Sequence, residues 1–326
     1  MLSPAAIARP LAPLERLTAA RPPAARSALD WTAPIDRSRW FFCETLTPLF
    51  YTPVYRELGA EHRRRYSQLT GMLSNELILL LETGVLALTL EAVLPGADEP
   101  LRAAVARFAA DERRHAETWR RLNRLSEPRW YAGTDRVLCR MPAGLPVLVR
   151  HLARHSLVWP VLLWLQLSQE ERSIEISRRC ARVPADRMEP RYAAAYREHL
   201  RDEVHHVQID CHLLERFYAT RPAPVRRLTA RLLRRVLGSM FLRPSRSTVG
   251  VVRVLATEYP ELRRLLPRMI AELRALPETS GEYQHMMYSR EATPVTFAWF
   301  DRFPEMHTMR RVLPAYQPAT TRSVER

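Results

Sequence analysis

The sequence predicts an all-α fold, and three observations predict it. Glycine is scarce, at 9 of 326 residues, and β-branched runs are short, whereas the good helix formers Ala, Leu, Arg and Glu abound. Long apolar segments are separated by proline-rich stops. One short pattern occurs twice, as Asp111-Glu112-x-x-His115 and Asp202-Glu203-x-x-His206. Glu and His three apart lie on one face of a helix, so each copy aims a carboxylate and an imidazole at one point. The chain is long enough to bury a substantial core. We expect a single domain over 36–315 and a flexible tail over 316–326.

The elements follow in order. Residues 1–35 are rich in Ala, Pro and Arg and poor in acids, with no continuous apolar signal core, and read as a disordered leader. The aromatic segment from Trp40 to Tyr55 is expected to pack on one end of a bundle. A first long helix runs from about Ala60 to about Val93, where Pro95-Gly96 stops it. Asp98 is a good N-cap, with Pro100 in the first turn, for a second helix ending before Pro128. Residues 128–144 read as an irregular connection. Pro160 should kink or break a third helix, whose second part runs from Val161 to about Ala181. A fourth helix opens at Asp186 or Pro190 and extends to about Tyr218. Three or four shorter Arg-rich helices follow, and the chain beyond Pro314 reads as frayed.

Composition narrows the function. The formal charge is +15, and every basic residue is Arg. These Arg residues are spread over most helices and no recognition motif accompanies them, which argues against nucleic acid. An anionic substrate or an acidic carrier protein suits that charge better. Cys43, Cys139, Cys180 and Cys211 form no C-x-x-C pair, which fits a reducing cytoplasm and neither a zinc knuckle nor a disulfide framework. The apolar stretch Leu157 to Leu167 is too short, and too heavily flanked by Arg and His, to span a bilayer.

The doubled motif carries the chemistry. Two Glu-x-x-His helices, with two more that each offer one inward Glu, make the ligand set of a di-iron or di-manganese site in a ferritin-like four-helix bundle. Carboxylates suit ferrous or manganous ions, and imidazole tunes iron for oxygen chemistry. Glu76 supplies the first-helix carboxylate, because Leu73 to Leu81 is too apolar for an exposed face. On the third helix Glu170, Glu171 and Glu175 all compete. Glu171 precedes Glu203 by 32 positions, close to the 36 between Glu76 and Glu112, and is selected on that spacing. Asp111 and Asp202 precede the motif Glu in both copies, where a carboxylate can hydrogen-bond the far nitrogen of the opposing His; a surface Asp paired with Arg is the plainer alternative. His199 lies four before Glu203 and seven before His206, so the three share one stripe. A third His ligand would enrich one metal in nitrogen.

These residues resemble the p-aminobenzoate N-oxygenase (AurF-like) di-iron oxygenases. His199-x-x-x-Glu203-x-x-His206, Glu76, Asp-Glu-x-x-His at 111–115 and an acidic third helix carry the resemblance, which covers about residues 45–315. It implies a ferritin-like core with additional N- and C-terminal helices, and two irons held by Glu76, Glu112, His115, Glu171, His199, Glu203 and His206. It implies an enzyme of secondary-metabolite biosynthesis that activates O2 and oxidises an amine towards hydroxylamine, nitroso or nitro products. No flavin or nicotinamide fingerprint is present, so a separate electron donor is expected. A homodimer is expected as well. Rival functions are a di-iron C–H hydroxylase or desaturase and, from a different class, a ferroxidase or iron-binding protein.

Overall fold

A computed structural model describes residues 13–18, 31–140, 145–242 and 244–318. Among them the chain is helical, and no β-strand forms beyond one isolated bridge between Trp40 and Met188. Twelve helices are described. They are α1 (Leu14–Thr18), α2 (Ala60–Leu80), α3 (Ala87–Val93), α4 (Glu99–Ser126), α5 (Leu145–Ala153), α6 (Trp159–Ala181), α7 (Pro190–Leu214), α8 (Ala223–Val236), α9 (Arg246–Glu258), α10 (Leu266–Thr279), α11 (Gly281–Met287) and α12 (Pro294–Arg302).

Four long helical segments form the bundle: α2 running into α3, then α4, α6 and α7. Helices α6 and α7 pack most extensively, and α4 lies against both α2 and α7. The first segment is continuous but not uniformly α-helical. A single π-helical turn, Leu81–Leu86, joins α2 to α3 and admits one residue more per hydrogen-bonded turn. Asp98 caps α4 by accepting from the Leu101 N–H at 3.3 Å, and Glu189 caps α7 by accepting from Arg191 and Tyr192.

Proline acts differently from expectation in the third helix. Pro160 sits in the first turn of α6, where its missing N–H costs no hydrogen bond, so it starts a helix and kinks none. The segment before it is the separate α5. The segment from Trp40 to Tyr55 packs against α2. Ser67 Oγ donates to Phe42 O at 2.7 Å and accepts from Phe42 N at 3.2 Å. Gly71 makes this approach possible, since a Cβ there would lie 3.2 Å from the Cβ of Phe41 and 3.3 Å from its carbonyl.

Of the segment expected as a leader, residues 1–12 and 19–30 lie outside the described residues. Leu14–Thr18 forms α1 against α4 and α7 with Leu17 buried, and Arg191 donates to Ala33 O and Pro34 O. Of the expected tail, 319–326 lies outside the described residues, whereas Tyr316 is buried and donates to Asp301 Oδ1 at 3.0 Å.

Two apolar clusters make the core. One gathers Phe41, Tyr66, Leu73, Trp119 and Tyr196; the other gathers Leu90, Phe108, Trp164, Val207 and Phe300. Helix α4 passes from Phe108 to Trp119 and α7 from Tyr196 to Val207, each crossing from one cluster to the other. The polar layer described below lies between them. The run Ala60–Gly96 is long and apolar enough to cross a membrane, and longer than the stretch 157–167, yet only a third of its most apolar window is buried. Many of its remaining apolar side chains, Leu77, Leu81 and Val85 among them, line a half-open cavity.

Candidate metal centre

Seven buried side chains converge between the two apolar clusters: Glu82, Glu112, His115, Glu170, His199, Glu203 and His206. Glu203 Oε1 is central. It lies 3.0 Å from His199 Nε2, 3.3 Å from His206 Nδ1 and 3.4 Å from His115 Nδ1. Glu112 Oε1 lies 3.0 Å from His206 Nδ1 and 3.5 Å from His115 Nδ1. Both carboxylates therefore stand between imidazoles.

Two flanking carboxylates divide the cluster. Glu82 Oε1 lies 3.5 Å from His199 Nε2 and 3.9 Å from His115 Nδ1, whereas Glu170 Oε2 lies 3.6 Å from His206 Nδ1. Ligand atoms of Glu112, His115, Glu203 and His206 fall within 4.8 Å of one another, as do those of Glu82, His115 and His199. The two sets share His115, with His206 in the first and His199 in the second.

The donor atoms are orphaned. Glu82 Oε2, Glu112 Oε1, His115 Nδ1, both Glu203 oxygens and His206 Nδ1 are buried without a hydrogen-bond partner among the described residues. Leaving so many buried polar atoms unsatisfied costs free energy for each, and stacking carboxylates in a low-dielectric core costs more. Cations at their focus would remove both penalties, and a carboxylate–imidazole set suits ferrous or manganous ions. The residues fit such a centre.

Electrostatics reflects the crowding. Burial first, and then the neighbouring carboxylates, push Glu82 and Glu170 well above the usual carboxylate range. Burial opposes ionisation of Glu112 too, but His115 and His206 outweigh it and hold Glu112 down at about 2. Burial alone would depress His115; its hydrogen bond to Asp202 and the nearby Glu112 and Glu203 carboxylates raise it to about 9. His199 stays low, at about 3, through burial and the adjacent His115.

The imidazoles are oriented from behind. His115 turns Nε2 to Asp202 Oδ2 at 3.1 Å, and His199 turns Nδ1 to Ser177 Oγ at 3.0 Å and Ser173 Oγ at 3.3 Å. His206 stacks on Phe108 with ring centroids 3.9 Å apart, its Nε2 being 3.7 Å from Asp111 Oδ2. Arg114 ties the two aspartates together, donating to Asp111 Oδ1 at 2.7 Å and Asp202 Oδ2 at 2.6 Å. The crossed Asp–His pairing and the plainer Asp–Arg pairing are therefore both present.

Two sequence-selected residues lie elsewhere. Glu76 is buried, but its oxygens accept from Tyr131 Oη at 2.6 Å and from the backbone N–H groups of Val137, Leu138 and Cys139 at 2.5–3.0 Å. It pins the connection 128–140 to α2. Glu82 stands at the cluster in its place, six residues on and inside the π-helical turn. Glu171 accepts from the N–H groups of Val295 and Thr296 at 2.6 and 2.7 Å, capping the exposed donors of α12, and Glu170 faces the cluster instead. Glu175 is taken by Arg178 and Arg179.

The cluster forms part of the wall of a cavity of about 1270 Å³, where Glu82, Glu170, His199 and Glu203 meet apolar side chains such as Leu77, Leu81, Leu162 and Ile176. That volume is larger than the ~300–1,000 Å³ common for small-molecule sites. Over residues 11–281 the sequence matches the family described as P-aminobenzoate N-oxygenase AurF. The chain belongs to that family. It is accordingly an O2-dependent oxidoreductase of the di-iron type. No curated protein matches it.

Proposed function

We propose that Glu82, Glu112, His115, Glu170, His199, Glu203 and His206 hold two iron ions, and that the enzyme uses O2 to oxygenate the nitrogen of a small-molecule amine. The observation that carries this reading is the set of orphaned Glu and His donor atoms facing one another beside a large apolar cavity. Family membership supports the amine as substrate class. A ferrous pair supplies two electrons to O2 when bound.

The chain's own residues prepare that chemistry. Asp202 and Ser177 hold the rings of His115 and His199 so that the opposite nitrogens face the cluster, and the Asp202 carboxylate favours a proton on Nε2 of His115. Phe108 and Trp119 pack against His206 and His199 and close the apolar side of the cluster. The cavity wall beside the cluster is largely apolar and offers the reacting amine few competing polar partners. Conversion of an amine and O2 to a hydroxylamine and water consumes two electrons and two protons in all, so an external reductant is required for every turnover. A role in secondary metabolism fits a modified amine as product.

Turnover of 4-aminobenzoate by iron-loaded enzyme under 18O2, with a chemical reductant and mass-spectrometric detection, tests this. Label on nitrogen is expected. Label on carbon would favour the hydroxylase alternative, and O2 consumption without amine oxidation would contradict the proposal.

A further inference from the structure

The cavity beside the cluster has an arm that the metal centre does not use. Its two long walls are the first bundle segment and α6. Past Glu82 the first wall offers Val85, Leu88 and Ala92 and ends at Pro95; back from Glu170 the second offers Leu165, Leu162 and Val158. Both walls leave the cluster in the same direction, because Leu86, Leu90 and Val93 share one apolar cluster with Leu163, Trp164 and Leu167 of α6. Pro95 is thirteen residues beyond Glu82 and Val158 twelve before Glu170, which makes the arm about 18 Å long. Helix α5 packs on α3 and adds Val149, Leu152 and Ala153 to the lining.

The lining of this arm is aliphatic. Its charged residues, Glu91, Arg150 and Arg154, are all exposed and mark its mouth, while the buried amide of Gln166 donates to Asp210. The first bundle segment is long and apolar enough to cross a membrane, yet only a third of its most apolar window is buried by protein. Val85, Leu88 and Ala92 are among the half-buried side chains, and all three line the cavity. Apolar surface left to water is unfavourable in proportion to its area. A single aromatic ring at the cluster would leave most of this surface uncovered.

We propose that the arm takes an elongated hydrocarbon, so that the substrate is an amine attached to a long unbranched apolar chain. This rests on the reading of the cavity as the amine site. The nitrogen lies beside Glu82 and Glu170, and the chain runs between α3, α5 and α6 to the mouth. The shape of the cavity selects such a body. Its 1270 Å³ follow the first segment from Tyr66 to Pro95, about 40 Å of helix, so it is long and narrow. On the other side of the cluster the lining includes Thr70, Arg172 and Ser173, which suit a hydrocarbon less.

Binding of 4-ethyl-, 4-butyl-, 4-hexyl- and 4-octylaniline tests this without turnover, since these amines differ only in methylenes. Calorimetry on the full-length protein, metal-stripped and anaerobically iron-loaded, should show one site. Its affinity should rise about three- to four-fold per added methylene, as transfer of that group out of water provides, through the octyl compound. Leu88→Trp, at a half-buried wall position, and Leu162→Trp should each exclude the outer methylenes. Either should weaken the octyl compound by about ten-fold or more and leave the ethyl compound unchanged. Affinity that levels off at the ethyl or butyl compound in the wild type, or no binding of any member, overturns the assignment whether or not the variants fold. A chain-length dependence that both folded variants retain also overturns it, because the methylenes would then lie elsewhere. Failure to oxygenate nitrogen in an enzyme that binds the series sinks only the functional reading. Label on the nitrogen of 4-aminobenzoate with a flat series sinks only this one.

Discussion

Asp202 on α7 lies with Oδ2 3.1 Å from Nε2 of His115 on α4, so that one helix of the bundle sets the ring orientation of a ligand candidate on its neighbour. The contact leaves Nδ1 of His115 as the atom facing Glu112 and Glu203. Asp202→Asn keeps the shape but removes the charge that favours this tautomer. Metal affinity should fall by about 10–100-fold, measured by competition against a chelator. Unchanged affinity would reduce Asp202 to a partner of Arg114.

Glu76 and Glu82 should separate stability from metal binding. Glu76→Ala strands Tyr131 Oη and three backbone N–H groups in a buried site, and should cost about 3 kcal/mol or more of unfolding free energy, with metal retained by the folded fraction. Glu82→Ala should fold and lose metal. Denaturant unfolding alongside metal analysis distinguishes them, and the reverse assignment would contradict the geometry.

The adjacent pair on α6 should behave in the same divided way. Glu171→Ala removes the carboxylate that accepts from Val295 and Thr296 at the start of α12, which should cost about 1–2 kcal/mol and leave the metal in place. Glu170→Ala should lower iron content with little loss of cooperativity in unfolding. Equal metal loss in both variants would argue against this division.

The metal-free protein should lose stability as pH rises above neutrality. His115 moves from 6.5 to about 9 on folding, since its acceptors outweigh the effect of burial. A folded pKa above the unfolded one stabilises fully below pH 6.5, and that contribution is lost as pH rises through 9. Glu82 and Glu170, raised by burial and by the neighbouring Glu112 and Glu203 carboxylates, act in the same direction from 4.5 upwards. Bound metal holds these groups deprotonated and should flatten the dependence. Melting temperatures of chelated and iron-loaded protein between pH 6.5 and 9 check this. A metal-free Tm that rises over that window would contradict it.

How far the sequence could be read depended on regular helix geometry. Glu112 with His115, and His199 with Glu203 and His206, follow α-helical spacing, and the structure brings all five to one layer. Glu82 escaped because the π-helical turn Leu81–Leu86 changes the register, so that α-helical reasoning fell on Glu76. A signal was present: Glu82 precedes Glu112 by 30 positions, close to the 33 between Glu170 and Glu203. Glu170 and Glu171 could not be separated locally, because what claims Glu171 is a helix start more than 120 residues later. The helical class and most boundaries were legible from proline and capping residues. Pro160 was misread because a proline in the first turn and one that breaks a helix look alike without knowing where α5 ends.

Iron content after anaerobic ferrous loading and desalting, in wild type and in Glu82→Ala, bears most directly on the seven-residue centre. Two irons per chain in the wild type, with loss in the variant, is the expected result. Wild-type protein that retains no iron, or a Glu82→Ala variant that keeps both ions, would contradict the assignment.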